Sequence, residues 1–275
     1  MTGITDEPFI LVCFGNFELT LHSNAVERSE IPPFTHPTLK QKVFLSRLSP
    51  DLLAEVERRA VIRVWPRNTA IFRMHDECTG VHLVREGLVK LYRGHPNGRE
   101  QIILLEGAGG ALSIAPLFDD FKHITSARTL PQTTTMFMPR EDFLNLCNTN
   151  AEFRDAVTME MARRFRSLVE LVETITLKSV PARVATHLLE LAAAHDALDG
   201  AETFNLMLSQ DELAHVLATS RESVARALAE LRSAKIIEQR GAKIRVIDAQ
   251  GLTTWSQATT PVQSFSEAFR LRGDR

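Results

Sequence analysis

The sequence of 275 residues has few cysteines, no long apolar run and a near-neutral charge, and each of these excludes a class of protein. Cys13, Cys78 and Cys147 are odd in number and far apart, which is untypical of a disulfide framework or a CxxC metal site. No stretch of about 18 consecutive apolar residues is present to span a membrane. The N-terminus has no basic region of the kind that opens a signal peptide. We therefore expect a cytoplasmic protein with no membrane partner.

Charge and length set two further limits. The net charge of −2 rules out a wholly basic chain, so any binding to nucleic acid must come from a local patch. The composition, with 44% hydrophobic and 24% charged residues, is typical of a globular protein. Single cores usually stop growing at about 250 to 300 residues, so a chain of this length favours two domains.

The first half of the chain passes from turns to short strands. Residues 1–40 contain the turn-rich "SEIPPFTHPT" and form an N-terminal extension whose order the sequence does not define. A short helix is predicted next, with Ser49 as its N-cap. Apolar runs then alternate with Gly, Asn, Asp and Pro about every eight to twelve residues, and Asn97-Gly98 marks a hairpin. This rhythm predicts an antiparallel barrel or sandwich whose last strand ends at Pro139.

An apolar stripe of helical period follows from Asp142 onward. Its members are spaced at close to the average of about 3.5 residues that is typical of a coiled-coil seam. They are Val157, Met161, Phe165, Leu168, Val172 and Ile175. The stripe could pack against the chain's own strands, but its length and the charged residues between its members favour pairing with a second copy. Pro181 ends this helix and lies in the first turn of the next one.

The segment "LSQDELAHVLATSRESVARALAELRSAKII" has the pattern of a helix-turn-helix. Ser209 and Glu212 form a capping box for a first helix at roughly 210–217. Ser220 can cap a second helix, whose apolar face consists of Val224, Ala227, Leu228 and Leu231. In such a pair, the N-terminal residues of the second helix reach base edges in the major groove.

Arginine and glutamate stand where base contacts are expected. Arg221 and Arg226 can each donate two hydrogen bonds to a guanine, and Glu222 can accept one from a cytosine amino group. The following "IIEQRGAKIRVID" predicts a β-hairpin wing, whose Arg240 and Lys243 can contact phosphates. The sequence therefore predicts a surface that both reads bases and holds the backbone of DNA.

The local charge supports the same interpretation. Between residues 220 and 247 there are seven basic and three acidic residues, a local charge of +4 within a chain of −2. The predicted partner is double-stranded DNA. The predicted DNA-binding residues are Ser209, Gln210, Ser220, Arg221, Glu222, Ser223, Arg226, Arg240 and Lys243.

The order of these parts resembles the Crp/Fnr family, the bacterial transcription regulators grouped around the cyclic-AMP receptor protein and the fumarate and nitrate reduction regulator. The resemblance runs from about Leu45 to Leu252 and is carried by "IFRMHDECTGVHLVREGLVKLYR", "NGREQIILL", "MPREDF" and the helix-turn-helix segment. The family's recognition helix uses an Arg-Glu pair followed four residues later by a second Arg, here Arg221, Glu222 and Arg226. The resemblance implies a homodimer that binds a pseudo-palindromic site with TG in each half-site and contacts RNA polymerase.

The resemblance also implies the fold and its division into domains. The implied fold class is α+β. A β-roll sensor domain like a cyclic-nucleotide-binding domain is expected at 41–150 and a dimerisation helix at 151–178. A winged helix-turn-helix at 179–252 and a C-terminal tail at 253–275 complete the chain.

The sensor departs from the family members that bind cyclic AMP. Those members carry Gly-Glu for the ribose hydroxyl and Arg-Ser for the cyclic phosphate, in the stretch that corresponds to "GGALSIAPLFDDFKHITSART". Here Ser113 stands at the acidic position, and His123 and Ile124 align with Arg-Ser. A phosphate loses a bidentate contact without the arginine, so we do not expect cyclic AMP in the usual mode. The effector-pocket residues predicted by this alignment are Ser113, His123, Ile124 and Thr125.

Other effectors of the family can be weighed by their ligands. Three cysteines exclude the four-cysteine iron–sulfur cluster of the oxygen-sensing branch. A third branch holds haem and senses nitric oxide or carbon monoxide, and His75, His82, His95 or His123 could supply an axial ligand. The sequence therefore predicts an effector other than cyclic AMP, or none, with haem sensing as the alternative. No other metal site is predicted.

An enzyme is the main rival class. Cys13 or Cys147 as a nucleophile would need a partnered base, and no Cys-His signature surrounds either residue. The acidic residues of "FDD" and "RED" stand at predicted turns or at a helix start, where such residues are expected for structural reasons. No enzymatic activity is predicted.

Overall fold

The computed structural model describes residues 44–95, 100–119, 122–195, 197–198, 202–206 and 208–258. The predicted extension at 1–40, Cys13 and the Asn97-Gly98 turn lie outside these residues. Within the described ranges, no helix combines the length and the apolar character that crossing a membrane requires.

Eight strands form the N-terminal half of the described chain, as the alternation of apolar runs and turns predicts. They are β1 (Val61–Trp65), β2 (Ala70–Phe72), β3 (Gly80–Glu86), β4 (Leu88–Gly94), β5 (Glu100–Gly107), β6 (Ala111–Leu112), β7 (Ser126–Thr129) and β8 (Thr133–Pro139). One antiparallel sheet has the order β1-β8-β3-β6 and the other the order β2-β7-β4-β5. Between the sheets lies a small core that includes Phe72, Val84 and Leu112. The predicted hairpin is confirmed in its two arms, β4 and β5.

Five helices accompany and follow this roll. They are α1 (Pro50–Arg59), the short α2 (Pro116–Asp119), α3 (Arg140–Thr149), α4 (Ala151–Leu177) and α5 (Val180–Ala194). Helices α1, α3 and the start of α4 cover the outer face of the first sheet with a second apolar core. Ser49 stands at the N-cap of α1 as predicted, but its side chain makes no capping hydrogen bond. Its hydroxyl instead donates to Glu152 of α4 at 3.0 Å, which ties the two helices together.

Helix α4 is fixed to the roll by a buried ion network. Arg163 lies 2.6 Å from Glu106 of β5 and 2.6 Å from Glu160, and Arg164 contacts the same two carboxylates at 2.9 Å. Burial opposes the charge on Arg163, but the hydrogen bond that it donates to Glu160 and the charge of Glu106 outweigh this effect and raise the pKa of the guanidinium. We expected these two arginines to flank a seam between copies. Both arginines instead form ion pairs within the chain.

The C-terminal half is a winged helix. Its elements are β9 (Phe204–Asn205), α6 (Gln210–Val216), α7 (Arg221–Ser233), β10 (Ile237–Arg240), β11 (Lys243–Val246) and α8 (Ala249–Ser256). The sheet order is β10-β11-β9, so the predicted wing is confirmed and gains a third strand. The predicted capping box between Ser209 and Glu212 is also confirmed.

The boundary predicted at residue 252 is wrong, because it falls inside α8. Asp248 caps this helix by accepting a hydrogen bond from the Gly251 amide at 2.8 Å. Leu252 is fully buried in the core of the winged helix, and Trp255 packs against that core. Two turns of helix give too short a pattern for periodicity to reveal, which is why the sequence predicts a tail there.

Candidate functional site

The start of α7 is the exposed end of an otherwise buried helix. Ser220 caps it by accepting a hydrogen bond from the Ser223 amide at 3.2 Å. The predicted apolar face is confirmed as buried, since Val224, Ala227, Leu228 and Leu231 are at most 1% exposed. Burial of this face leaves Arg221, Glu222 and Arg226 on the solvent side.

The polar side chains at this end make only long contacts with their neighbours. Arg226 Nη2 donates to Ser223 Oγ at 3.2 Å, and Arg221 Nε is 4.0 Å from the exposed Asp211. The pKa of Glu222 is lowered, chiefly by a hydrogen bond from its own backbone amide and by one from the Ser220 hydroxyl. Two guanidinium donors and an ionised acceptor are thus presented together, which suits them to hydrogen bond with base edges.

The wing supplies further positive charge. Gly241 adopts a φ of 61° at the turn between β10 and β11, where a residue with a Cβ would be strained. Arg240 and Lys243, on either side of the turn, are exposed. Arg245 pairs with Glu238 at 2.6 Å, so these two residues contribute no net charge. The net positive charge of the wing therefore lies at its tip.

Two of the serines predicted to bind DNA use their hydroxyls within the protein. Ser209 Oγ donates to Glu212 at 2.8 Å and accepts from the Glu212 amide at 3.2 Å. Ser220 Oγ caps α7 as described above. Gln210, the first residue of α6, is half-buried. Any role of the two hydroxyls at DNA would come in addition to their capping role.

One residue that supports this surface was not found from the sequence. Arg183 of α5 donates through Nη1 to the main-chain oxygens of Leu217 and Ala218, in the turn between α6 and α7. Ala218 adopts a left-handed φ of 51° there. The partners are more than thirty residues apart, and a lone arginine on an apolar helix gives no local signal of such a contact.

Only the C-terminal part of the predicted seam on α4 is exposed. Phe165 is 69% exposed, and Leu168, Val172 and Ile175 between 37% and 57%. Val157 is buried in the core beneath the first sheet, and Met161 packs against that core. The seam predicted from Val157 therefore needs correction. The first two turns of the stripe cover the protein's own roll, and the apolar surface that remains begins at Phe165.

The predicted effector residues separate into two groups. Ser113 Oγ and His123 Nδ1 lie 2.6 Å apart in the interior of the roll. The ring of Phe72 stacks on His123 with their centroids 3.8 Å apart. Ile124 is 59% exposed and Thr125 is half-buried, so the prediction that Ile124 lines the pocket is wrong. Both follow the buried His123 in a bend before β7, which turns the Ile124 side chain outward.

His82 completes this aromatic interior. Its Nδ1 is 3.2 Å from Thr135 Oγ1, and its ring lies against Trp65 and Phe137. Burial lowers the pKa of His82 to about 3, aided by the charges of Arg63 and His123. Burial also lowers the pKa of His123. Both rings are therefore neutral near pH 7. His75 and His95, the other histidines considered as haem ligands, are exposed.

The two described cysteines are buried thiols. Burial raises the pKa of Cys78, and it raises that of Cys147 to about 11. A thiol with so high a pKa is a poor nucleophile at neutral pH. Among the residues that the structure describes, no group of three or more His, Cys, Asp or Glu side chains is arranged to hold a metal ion.

Two family models each match one part of the chain. Residues 62–150 match the cyclic nucleotide-binding domain, and residues 182–255 match the Crp-like helix-turn-helix domain. These matches define a transcription regulator with a helix-turn-helix DNA-binding domain. The chain belongs to the Crp/Fnr family, as its recognition-helix residues indicated.

The individual relatives are distant in sequence, but the matched regions span most of each relative's length. The CRP-like cAMP-activated global transcriptional regulator of Mycobacterium tuberculosis is 25% identical over 206 residues, 74% of this chain and 92% of the relative. The transcriptional activator protein Anr of Pseudomonas protegens is 25% identical over 199 residues, 72% of this chain and 80% of the relative. The solved structure of FixK2 from Bradyrhizobium japonicum shares the fold. Its TM-score is 0.63 at 22% identity, with 73% of this chain and 99% of that chain covered. The curated relatives are transcription regulators rather than enzymes.

Proposed function

We propose that this regulator binds a pseudo-palindromic DNA site as a homodimer, with the start of α7 in the major groove of each half-site. Arg221, Glu222 and Arg226 would read bases, including the TG step, while Arg240 and Lys243 would contact phosphates. The observation that carries the proposal is the exposure of these side chains beside a fully buried apolar face. In helix-turn-helix proteins, that end of the second helix is the part that enters the groove.

The homodimer is supported by the exposed apolar stripe on α4. Phe165, Leu168, Val172 and Ile175 recur at coiled-coil spacing along the C-terminal half of the helix. Large apolar side chains in a continuous row on one helix mark an interaction surface rather than a solvated face. A symmetric pair of such helices would place two copies of α7 on one face of DNA, which is why we infer a palindromic site.

The proposed effector differs from cyclic AMP, or is absent. The position of the phosphate-binding arginine is taken by His123, whose ring is stacked on Phe72 and hydrogen bonded to Ser113. A neutral, buried imidazole offers no charge to a cyclic phosphate. Packing of His82 and His123 among aromatic rings gives the haem alternative no support. Contact with RNA polymerase stays an expectation from the family.

Selection from a library of random duplexes tests this function directly. The purified protein should enrich a two-fold symmetric motif with TG in each half, at a moderate salt concentration because phosphate contacts are weakened by salt. Enrichment of an asymmetric motif would contradict the dimeric mode. Enrichment of no motif at all would contradict sequence-specific binding.

A further inference from the structure

Helix α5 carries a row of polar side chains on a face that is at least half-buried. Arg183, Thr186, His187 and Glu190 follow one another at helical spacing and line a cavity of about 100 Å³. The Ser167 hydroxyl and the Nε of Arg183 are buried there, and neither has a hydrogen-bond partner among the described residues. A cavity of this size has space for about three waters, which the polar side chains along one wall could bind. It is not part of the roll interior or of the DNA surface.

The cavity lies where three parts of the protein meet. Residues 102–105 of β5 form one wall, α4 another, and the end of α6 a third. Beside it, Ile102 and Leu105 belong to the same apolar core as Leu213 and Leu217 of α6. The outer face of the second sheet therefore packs against the DNA-binding helices. Any change in this cavity acts on the contact between the roll and the helix-turn-helix.

Among the ionisable side chains at this junction, Glu190 is the one whose pKa burial shifts most clearly. Burial raises its pKa to about 8, the charge of Lys178 lowers it, and the charge of Glu170 on α4 raises it. Arg183 and His187 face the cavity from the same helix. The walls from β5 and α6 are aliphatic, and α8, which also packs on α5, contains no ionisable residue.

We propose that Glu190 is a proton-linked latch, whose neutral form allows the helix-turn-helix to dock on β5 and whose ionised form weakens that docking. In the docked arrangement the half-buried Glu190 lines the cavity together with the aliphatic residues of β5 and α6, near the like charge of the exposed Glu170. An ionised carboxylate in such a place loses its hydration without gaining a close cation. The charge of Lys178, whose Nζ donates to Thr186 at 3.0 Å, offsets the burial of Glu190 only in part.

The direction of the pH effect follows from linkage. Docking holds the Glu190 proton more tightly than solvent does, so docking is strongest below the ordinary pKa of 4.5. It weakens as the pH rises toward about 8 and is constant above that value. Between about pH 6 and about pH 8 one proton can change the docking equilibrium by at most about a hundredfold.

Hydrogen exchange on the intact protein tests docking. Protection factors, which correct for the intrinsic pH dependence of exchange, should fall about tenfold or more in β5 and α6 between about pH 6 and about pH 8. Protection in β1 and β8 serves as the internal control and should stay constant. In Glu190→Gln, a neutral side chain of the same shape, β5 and α6 should keep the same protection at both pH values. Equal pH dependence in this variant and in the wild type would refute the latch.

A second variant tests the latch even if Glu190→Gln does not fold. Lys178→Met removes the charge that lowers the pKa of Glu190, so the midpoint of the change in protection should move to higher pH. An unmoved midpoint would contradict the assignment to Glu190.

The effect of the latch on DNA binding rests on the proposed function. On a duplex that the wild type binds, affinity should differ between the two pH values for the wild type and not for Glu190→Gln. A wild-type protein whose protection in β5 and α6 does not change with pH would refute the latch, whereas failure to bind any duplex would refute only the proposed function.

Discussion

Arg183 Nη1 lies 2.6 Å from the main-chain oxygen of Leu217, and this contact connects α5 to the turn of the helix-turn-helix. Helix α6 ends at Val216, so the Leu217 oxygen is one of the carbonyls that have no partner within the helix. A guanidinium from outside the helix satisfies it. The turn that precedes α7 is therefore held by a residue of α5.

Removal of this contact should destabilise the winged helix. In Arg183→Gln the turn loses a charge-assisted hydrogen bond, and the free energy of unfolding should fall by about 1 to 3 kcal/mol. Urea denaturation followed by circular dichroism measures this loss. Arg232→Gln, on the exposed side of α7, removes the same charge without that contact and should change stability little. Equal stability of the two variants would contradict the role of Arg183.

A charge on the α4 stripe should separate the two copies. In Leu168→Glu a symmetric contact would bury two like charges opposite each other, which strongly opposes association. Sedimentation velocity should show a monomer at concentrations where the wild type is a dimer. Thr158→Glu adds the same charge to an exposed position of the same helix outside the stripe, and it should sediment as the wild type does. A dimeric Leu168→Glu would place the interface elsewhere.

The interior of the roll should lose stability in acid through His82. Its pKa is about 3 in the folded protein against an ordinary 6.5, so the unfolded chain binds a proton that the folded chain excludes. The resulting stabilisation is complete above about pH 6.5 and is lost progressively as the pH falls toward 3. His82→Asn retains a polar group near Thr135 and cannot titrate. The difference in unfolding free energy between wild type and variant should therefore change with pH over this window, and a constant difference would argue against a buried neutral His82.

Short-range signals made the DNA-binding half predictable. The capping box joins Ser209 to Glu212 within one turn, and the apolar face of α7 repeats within a single helix, so both patterns are local. The hairpin arms β4 and β5 were likewise marked by the residues between them. These features form wherever the local sequence supports them, and tertiary packing then selects the same conformation.

Long-range contacts account for what the sequence did not reveal. The apolar stripe on α4 has one period throughout, but Val157 packs on the roll while Phe165 faces solvent. Periodicity shows that a face is apolar and not which surface covers it. The ion network around Glu106 and the contact of Arg183 with Leu217 join residues that are far apart in sequence. Ile124 was misplaced for the same reason, because an alignment cannot show which side chains a bend turns outward.

The central claim, that the start of α7 reads bases, is tested most directly by Arg226→Ala on a library of randomised half-sites. Loss of two hydrogen bonds to one guanine should lower affinity by about 1 to 3 kcal/mol per half-site and relax the preference at that base pair alone. Lys243→Ala on the wing is the matched comparison. It should weaken all sequences about equally and reduce the salt dependence by roughly one unit per phosphate contact. Relaxed preference confined to one base pair in Arg226→Ala, with unchanged preference in Lys243→Ala, is the predicted result. An Arg226→Ala protein that keeps the full sequence preference of the wild type would contradict the account.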